Sequence, residues 1–187
     1  MELLFENIVG KAFADKVRDI STRLGINPNW LMLVFFNESS LQSTAQNNIG
    51  CVGLLQWCAD KGTPGFKMIG GKSVSLQELK SKPALEQLDY VYDYFKPYRS
   101  SLTSYENLSL ATLTPGYLDE ADNDAFVFPN WVVNGNKALF TRGTTMKDYR
   151  QGLADKIIEV VPVSLQDEFF KKKAFSEYTS ERLSLAA

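Results

Sequence analysis

Three observations predict a mainly α-helical fold. Apolar residues recur every three to four positions, N-cap signals precede these segments, and strand-like alternation is sparse. The composition is that of an ordinary globular protein, with 44% apolar and 22% charged residues among 187. We expect one domain over residues 1–162 and an amphipathic, charged C-terminal tail over residues 163–187.

The first two predicted helices lead to a single acidic residue, Glu38. Apolar spacing predicts a helix over Ile8–Leu24, and Gly25 is suited to end it. Asn27 is a suitable N-cap for the second helix, and Pro28 suits its first turn. Because apolar side chains lie all round this second helix, we expect it to be buried at the centre of the fold.

A small irregular or short-strand region is expected after the second helix. Ser43–Gly53 is polar and rich in Asn, Thr and Gly, which predicts a loop or an irregular hairpin. Gly62–Gly71 holds four glycines and a proline and is predicted to be a further loop.

The later helices are predicted from capping and proline signals. One helix is expected to begin at the Ser75–Glu78 capping box, and the next is expected to run from Pro83 to before Pro97. A third helix is expected to begin at the Thr103–Glu106 box and to end at Pro115. A fourth helix is expected to run from Thr145 through Val160 and to end at Pro162. Asp119–Asn136 is expected to be an irregular surface region.

The composition excludes several functions. With no histidine, the chain alone cannot perform Ser-His-Asp or Cys-His catalysis. A net charge of −2 offers no basic field for nucleic acid, and we expect no nucleic-acid partner. Cys51 and Cys58 are too few for a typical zinc site; we expect two small core residues, with a disulfide as the alternative.

We expect neither a transmembrane segment nor an export signal. No stretch reaches the roughly 18 apolar residues that a membrane helix needs. The stretch MELLFENIVGKAFADK lacks the basic n-region, the long apolar region and the cleavage site of a signal peptide. A function outside a cytoplasm would therefore require delivery by another component.

Glu38 follows an apolar run and is a candidate catalytic acid. Beside Leu31, Val34 and Phe35 its carboxyl is expected to be partly desolvated, and desolvation raises the pKa of a carboxyl group. Glycosidic cleavage requires an acid that is still protonated near neutral pH. The alternative is a solvated carboxylate at the end of a helix.

The residues around Glu38 resemble the lytic transglycosylase family, which shares a lysozyme-like fold with goose-type lysozyme. The family motif has a Glu-Ser pair, then Ala with a polar pair, then a Gly-rich turn into Gly-Leu-Met/Leu-Gln. Here the matching residues are Glu38–Ser39, Ala45–Asn47 and Gly53–Gln56. The family's later Ala-Tyr-Asn-Ala-Gly motif is replaced by Leu113–Gly116, which lacks Tyr and Asn and looks more like members from phage particles.

The resemblance implies a peptidoglycan-cleaving enzyme with Glu38 as its single acid and base. Glu38 would protonate the glycosidic oxygen between N-acetylmuramic acid and N-acetylglucosamine, then accept the C6 hydroxyl proton as a 1,6-anhydro ring closes. The substrate's N-acetyl group would stabilise the cation. This chemistry requires no metal or cofactor, and we expect neither; no calcium site is expected in NGNKALFTRG, which lacks acids.

Other residues are candidates for binding substrate, each with a structural alternative. Gln56 either ties the Gly-rich turn to backbone or bonds a sugar, and Ser39 either bonds substrate or braces Glu38. Tyr94 shares a helix side with Tyr90; such aromatic residues are commonly core, although rings also stack on sugars. Further candidates near the motifs are Trp57 and Tyr117, the latter as a replacement for the missing Tyr.

Two alternatives to transglycosylation stay open. A muramidase would use water and a second carboxylate, for which the candidates by residue type are Asp60, Asp89, Asp93, Asp119 and Glu120, each more typical of a solvated surface charge. A non-catalytic lysozyme-like virion protein is the other alternative. The expected location is a phage virion or, after delivery, the host envelope, where the C-terminal tail would contact other virion proteins.

Overall fold

The computed structural model describes residues 2–170, and this part of the chain is mainly helical with one two-stranded antiparallel sheet. It divides into a first unit that ends at Leu102 and a second unit that begins at Thr103. No helix among residues 2–170 has both the length and the apolar character needed to cross a bilayer. The predicted tail lies mostly outside the described residues, so the boundary at residue 162 stays a prediction.

The first unit surrounds a buried helix with further helices and a hairpin. Its elements are α1 (Glu6–Val9), α2 (Lys11–Leu24), α3 (Pro28–Ser39), β1 (Phe66–Ile69), β2 (Lys72–Ser75), α4 (Leu76–Ser81), α5 (Ala84–Phe95) and a 3-10 helix (Lys96–Ser101). Helix α2 packs against both α3 and α5. Residues 31–35 of α3 are all buried, which confirms the prediction of a central apolar helix.

Helix α3 begins as its sequence predicts. The Asn27 side chain accepts a hydrogen bond from the Asn29 backbone N–H at 2.9 Å, and Pro28 occupies the first turn. The Asn29 side chain is buried and bonds back to the chain ahead of α1, accepting from Leu4 N at 2.8 Å and donating to Glu2 O at 3.1 Å. These bonds hold the N-terminal segment against the start of α3.

The first unit departs from two predictions. The helix predicted over Ile8–Leu24 is broken at Gly10, whose φ of +77° belongs to neither α1 nor α2. The Gly-rich stretch predicted as a loop contains β1, which pairs with β2 in the register Phe66↔Ser75 to Ile69↔Lys72. Gly70 and Gly71 both have positive φ and form the turn of this hairpin, which explains the glycines that suggested a loop.

The second unit is mainly helical, and the prediction that Asp119–Asn136 is an irregular surface region is wrong in part, because this range contains a helix and the buried residues Phe128 and Val132. Its elements are α6 (Tyr105–Leu113), a 3-10 helix (Pro115–Glu120), α7 (Asn130–Gly135), α8 (Met146–Val160) and α9 (Val163–Gln166). The predicted Thr145–Asp148 capping box is present at the start of α8. The box predicted at Thr103 is wrong by one residue, because the Ser104 hydroxyl caps α6 by accepting from Asn107 N.

An aromatic cluster fills the second unit. Phe128, which is 2% exposed, is its centre, with ring centroids of its neighbours 5.1–6.1 Å away. The cluster consists of Tyr117, Phe126, Phe128, Phe140 and Tyr149. Offset and edge-to-face rings at these distances attract one another, so the cluster orders the irregular chain between α6 and α8.

Candidate functional site

Helix α3 presents Glu38 at the surface. Glu38 lies in the last turn, on the side of the helix that carries the buried residues Leu31 and Phe35 further back. At this turn the helix leaves the core, and Glu38 is exposed. This exposure is that of the whole residue, and the partial desolvation of the carboxyl beside Leu31, Val34 and Phe35 stays a prediction. The predicted helix-end location is right.

Ser39 connects the end of α3 to a loop distant in sequence. Its side chain is 7% exposed, and its hydroxyl lies 3.0 Å from the Phe35 carbonyl oxygen and 3.1 Å from that of Leu54. The single hydroxyl hydrogen is thus shared between its own helix and the Gly-rich turn. Ser39 thus ties the end of α3 to the turn, while its bracing of Glu38 and a contact with substrate both stay predictions.

The chain after α3 forms a tightly bonded loop over residues 41–58, here called the site loop. Ser40 ends α3 in the left-handed conformation, and isolated antiparallel bridges join Val52 to both Gln46 and Trp57. The Asn47 side-chain oxygen accepts from the backbone N–H groups of residues 49 and 51 at 3.1 and 3.0 Å. Local side-chain bonds of this kind order a loop without regular strands.

Cys51 and Cys58 form a disulfide across the site loop, which overturns the expectation of two small core residues. Cys51 is buried and Cys58 is exposed. The bond lies next to the backbone pair in which Val52 and Trp57 exchange N–H···O bonds of 3.0 and 2.9 Å. Disulfide and backbone pair together close the turn Gly53–Gln56, the last element of the motif.

The Gln56 side chain stabilises this turn by hydrogen bonds to backbone. Its side-chain nitrogen donates to Gly53 O at 3.0 Å and to Ala45 O at 3.3 Å, and its backbone has a φ of +48°. The structural alternative foreseen for Gln56 is therefore present, while a bond from Gln56 to a sugar stays a prediction. Gly53 also donates its N–H to Ala45 O at 3.0 Å, so Ala45 anchors the turn twice.

Gln87 on α5 is a further residue of the site that the sequence analysis missed. It is fully buried, and its side-chain oxygen accepts from Leu54 N at 2.9 Å. Its side-chain nitrogen lies 2.7 Å from Ser43 O and 2.8 Å from Leu79 O. A signal existed, because Gln87 is a polar residue on a helix face otherwise made of Leu88, Val91, Tyr94 and Phe95.

Tyr94 lies close enough to Glu38 for the Glu38 charge to affect the pKa of the Tyr94 hydroxyl. The residue is 9% exposed; burial is the main cause that raises the pKa of its hydroxyl, and the charges of Tyr98, Asp60 and Glu38 raise this pKa further. The hydroxyl therefore stays protonated near neutral pH and remains a hydrogen-bond donor. The structure thus brings two of the predicted site residues, Glu38 and Tyr94, into one neighbourhood.

Asp60 also lies near Tyr94, but its carboxylate bonds to the hairpin. Its carboxylate oxygens lie 2.6 Å from Lys67 Nζ and 2.6 Å from the Met68 backbone N. Burial raises the pKa of Asp60, but the bonds from Lys67 and Met68 outweigh burial and hold this pKa below the usual value of an aspartate. Lys67 Nζ in turn lies 5.9 Å from the centroid of the Tyr94 ring. Asp60 is thus a half-buried anchor of β1, and the expectation of a solvated charge is wrong.

The remaining aromatic candidates have structural partners. Trp57 is 2% exposed, so it offers no ring face to a ligand. The Tyr90 hydroxyl donates to Glu78 at 2.8 Å, and the Arg23 guanidinium lies 3.7 Å from the Tyr92 ring centroid. Tyr117 belongs to the second unit, where it packs in the aromatic cluster.

The remaining carboxylates fall into two groups. Asp89 and Asp93 are exposed on α5, and Asp89 pairs with Lys16 at 2.8 Å. Asp119 and Glu120 lie in the second unit, in the 3-10 helix. Within residues 2–170, no group of three or more His, Cys, Asp or Glu side chains is arranged to hold a metal ion.

Comparison with known proteins gives no relative for this chain. No protein family, curated protein or solved structure matches it.

Proposed function

We propose that this chain is a lytic transglycosylase that cleaves the glycan strands of peptidoglycan, with Glu38 as its single acid and base. One observation carries the proposal: the Ser39 hydroxyl lies 3.1 Å from the Leu54 carbonyl oxygen. This contact joins the Glu38–Ser39 pair to the Gly53–Gln56 turn, so two motif elements distant in sequence meet in space. The exposed location of Glu38 suits a polymeric substrate.

The proposed reaction needs one carboxyl group. Glu38 begins protonated and donates its proton to the glycosidic oxygen as the bond from that oxygen to C1 of N-acetylmuramic acid breaks. The substrate's N-acetyl group stabilises the cationic sugar. The Glu38 carboxylate then accepts the C6 hydroxyl proton while O6 bonds to C1, which closes the 1,6-anhydro ring and returns Glu38 to its protonated form.

Asp60 supports transglycosylation over hydrolysis. Hydrolysis by the two-carboxylate route would need a second carboxylate with an oxygen available to activate water. Of the five carboxylates considered, Asp60 is the one whose charge reaches Tyr94 beside Glu38, and both of its oxygens are engaged by Lys67 and Met68. To act as a base on water, Asp60 would have to break its bond to Lys67 or to Met68.

The proposed setting is a phage virion or the host envelope after delivery. The segment LSLATLTPGYL supports a phage source by its resemblance to virion members of the family. The Cys51–Cys58 disulfide supports an oxidising compartment such as the envelope. The enzyme would open the cell wall during infection or assist host lysis, and other virion proteins are its proposed partners through the C-terminal tail.

The proposal is tested by digesting purified peptidoglycan with wild type and with Glu38→Gln. Muropeptides are identified by mass spectrometry before and after borohydride reduction, which leaves 1,6-anhydro ends unchanged. We expect anhydro ends from wild type and a rate lower by about 10²–10⁴-fold in Glu38→Gln, the usual contribution of a general acid. Glu159→Gln, at an exposed helical position of α8, is the matched control and should keep the wild-type rate.

Each other product identifies an alternative. Borohydride-reducible muramic ends would replace the proposal with a muramidase. Folded wild type that binds peptidoglycan and releases no product would instead be a non-catalytic lysozyme-like virion protein.

A further inference from the structure

Gln87 is a buried amide whose hydrogen-bond partners are backbone groups. It is 0% exposed, and its oxygen accepts from Leu54 N at 2.9 Å. Its nitrogen lies 2.7 Å from Ser43 O, 2.8 Å from Leu79 O and 3.2 Å from Lys82 O, so its two hydrogens are directed at three carbonyl oxygens. A side chain in this state is held in one orientation and holds its partners equally firmly.

These contacts reach both ends of the site loop. Ser43 lies near the start of the loop and Leu54 lies in its Gly-rich turn, so one amide sets the spacing between them. Leu54 is also held on its other side, because its carbonyl oxygen lies 3.1 Å from the Ser39 hydroxyl. Gln87 is therefore connected through Leu54 to Ser39, the residue next to Glu38.

The close approach of Gln87 depends on a glycine. A Cβ atom built on Gly53 would lie 2.7 Å from the Gln87 side-chain oxygen, inside van der Waals contact. The Gly53 φ of +77° is also one that residues with a Cβ rarely adopt. The glycine of the Gly-Leu-Leu-Gln turn thus makes room for the amide that anchors the following residue.

We propose that Gln87 is a positioning residue of the active site, which sets the site loop against the Ser39 end of α3 and so aligns Glu38 with the glycosidic bond. The inference rests on the proposed function for its catalytic consequence. Its structural part, the hold of Gln87 on Leu54, stands apart from that function. Gln87 contacts no reacting atom and is not a catalytic residue.

The test compares Gln87→Met with Gln166→Met. Methionine keeps the length of glutamine but cannot replace its hydrogen bonds. Gln166 is the matched control, since it is also buried and its nitrogen donates to Val161 O at 2.9 Å in the second unit. Both variants lose a buried amide bond to backbone, and both are assayed well below their melting temperatures.

Two readouts separate positioning from general stability. In Gln87→Met we expect kcat to fall by about 10–100-fold with KM nearly unchanged, because misplacement of a catalytic group acts on the chemical step. Gln166→Met should keep the wild-type kcat. Amide hydrogen exchange at Leu54 should become at least about 10-fold faster in Gln87→Met alone, since its N–H loses its acceptor.

The outcomes are distinguishable. A folded Gln87→Met enzyme with wild-type kcat, or with unchanged exchange at Leu54, overturns the inference. Inactive wild type overturns the proposed function, while exchange at Leu54 still decides whether Gln87 holds the turn. If Gln87→Met does not fold, Gly53→Ala takes its place, because its added Cβ meets the Gln87 oxygen, and the same two readouts apply.

Discussion

The site loop of the first unit and the segment between α6 and α8 in the second unit are both long connections, and they are ordered in different ways. The site loop has only isolated bridges, whereas the segment of the second unit includes a 3-10 helix and α7. The site loop is held by directional bonds from Ser39, Gln56 and Gln87 and by one disulfide. The segment between α6 and α8 is held by ring contacts around Phe128.

The difference teaches what each region can tolerate. A hydrogen bond weakens steeply with misalignment, so the site loop should respond sharply to small changes in shape. The free energy gained by packing rings together is roughly proportional to the apolar area that they bury, and it depends on filling the available volume. The aromatic cluster should therefore respond mainly to lost volume. A loop that must place a reacting group benefits from the first kind of order.

The largest effect is expected from removing volume at Phe128. Phe128→Ala should lower the free energy of unfolding by about 3–5 kcal/mol, because it leaves a cavity among four other rings. Urea denaturation measures the change. Val127→Ala, at a neighbouring residue that is 61% exposed, should stay within about 0.5 kcal/mol of wild type. Equal effects at the two positions would show that the cluster does not support the unit.

A smaller but sharper effect is expected at Gly53. Gly53→Ala and Gly50→Ala both place a Cβ at positive φ, +77° and +87°, and only Gly53 has atoms within 4 Å of that Cβ. The φ strain should cost each variant about 1–2 kcal/mol. Contacts of the added Cβ with the Gln87 oxygen at 2.7 Å and with the Trp57 ring at 3.1 Å should cost Gly53→Ala about 1–3 kcal/mol more. Thermal unfolding of the pair isolates these contacts, and equal losses would mean that both side chains move aside freely.

The smallest effect is expected at Asp60, and it should depend on pH. Because the pKa of Asp60 is held below its usual value in the folded state, its stabilising contribution is present above the pKa of the unfolded chain and is lost as the pH falls through the lower, folded-state pKa. Asp60→Asn should therefore lower the melting temperature at pH 7 and converge with wild type in strong acid. Asp122→Asn, at an exposed position of the second unit, is the control. A difference that persists in strong acid would contradict an ionic anchor.

Local signals in the sequence predicted the helices well. Asn27 and Pro28 open α3, Ser75 caps α4, and the Thr145–Asp148 box opens α8, each as predicted. These signals act within one turn of backbone, so a single sequence carries them fully. The placement of Glu38 at the end of a buried helix followed from the same local reasoning.

Features that depend on distant partners escaped the sequence analysis. Strand β1 lies where the sequence predicts a loop, because the glycines that suggest a loop form a hairpin turn whose flanking strands are only four residues each. The Cys51–Cys58 bond requires two Cβ atoms to meet, and spacing alone does not show this. Gln87 is 33 residues from Leu54, so its role could be seen only after folding.

The redox state of Cys51 and Cys58 also reports whether the chain has been in an oxidising compartment. Thiols of cytosolic proteins are kept reduced, whereas disulfides persist outside. An alkylating reagent added before cell lysis labels Cys58 only in chains whose bond is open, and those chains also carry two more hydrogens. The labelled fraction, followed over time by mass spectrometry, would therefore count the copies that have not yet reached an oxidising compartment.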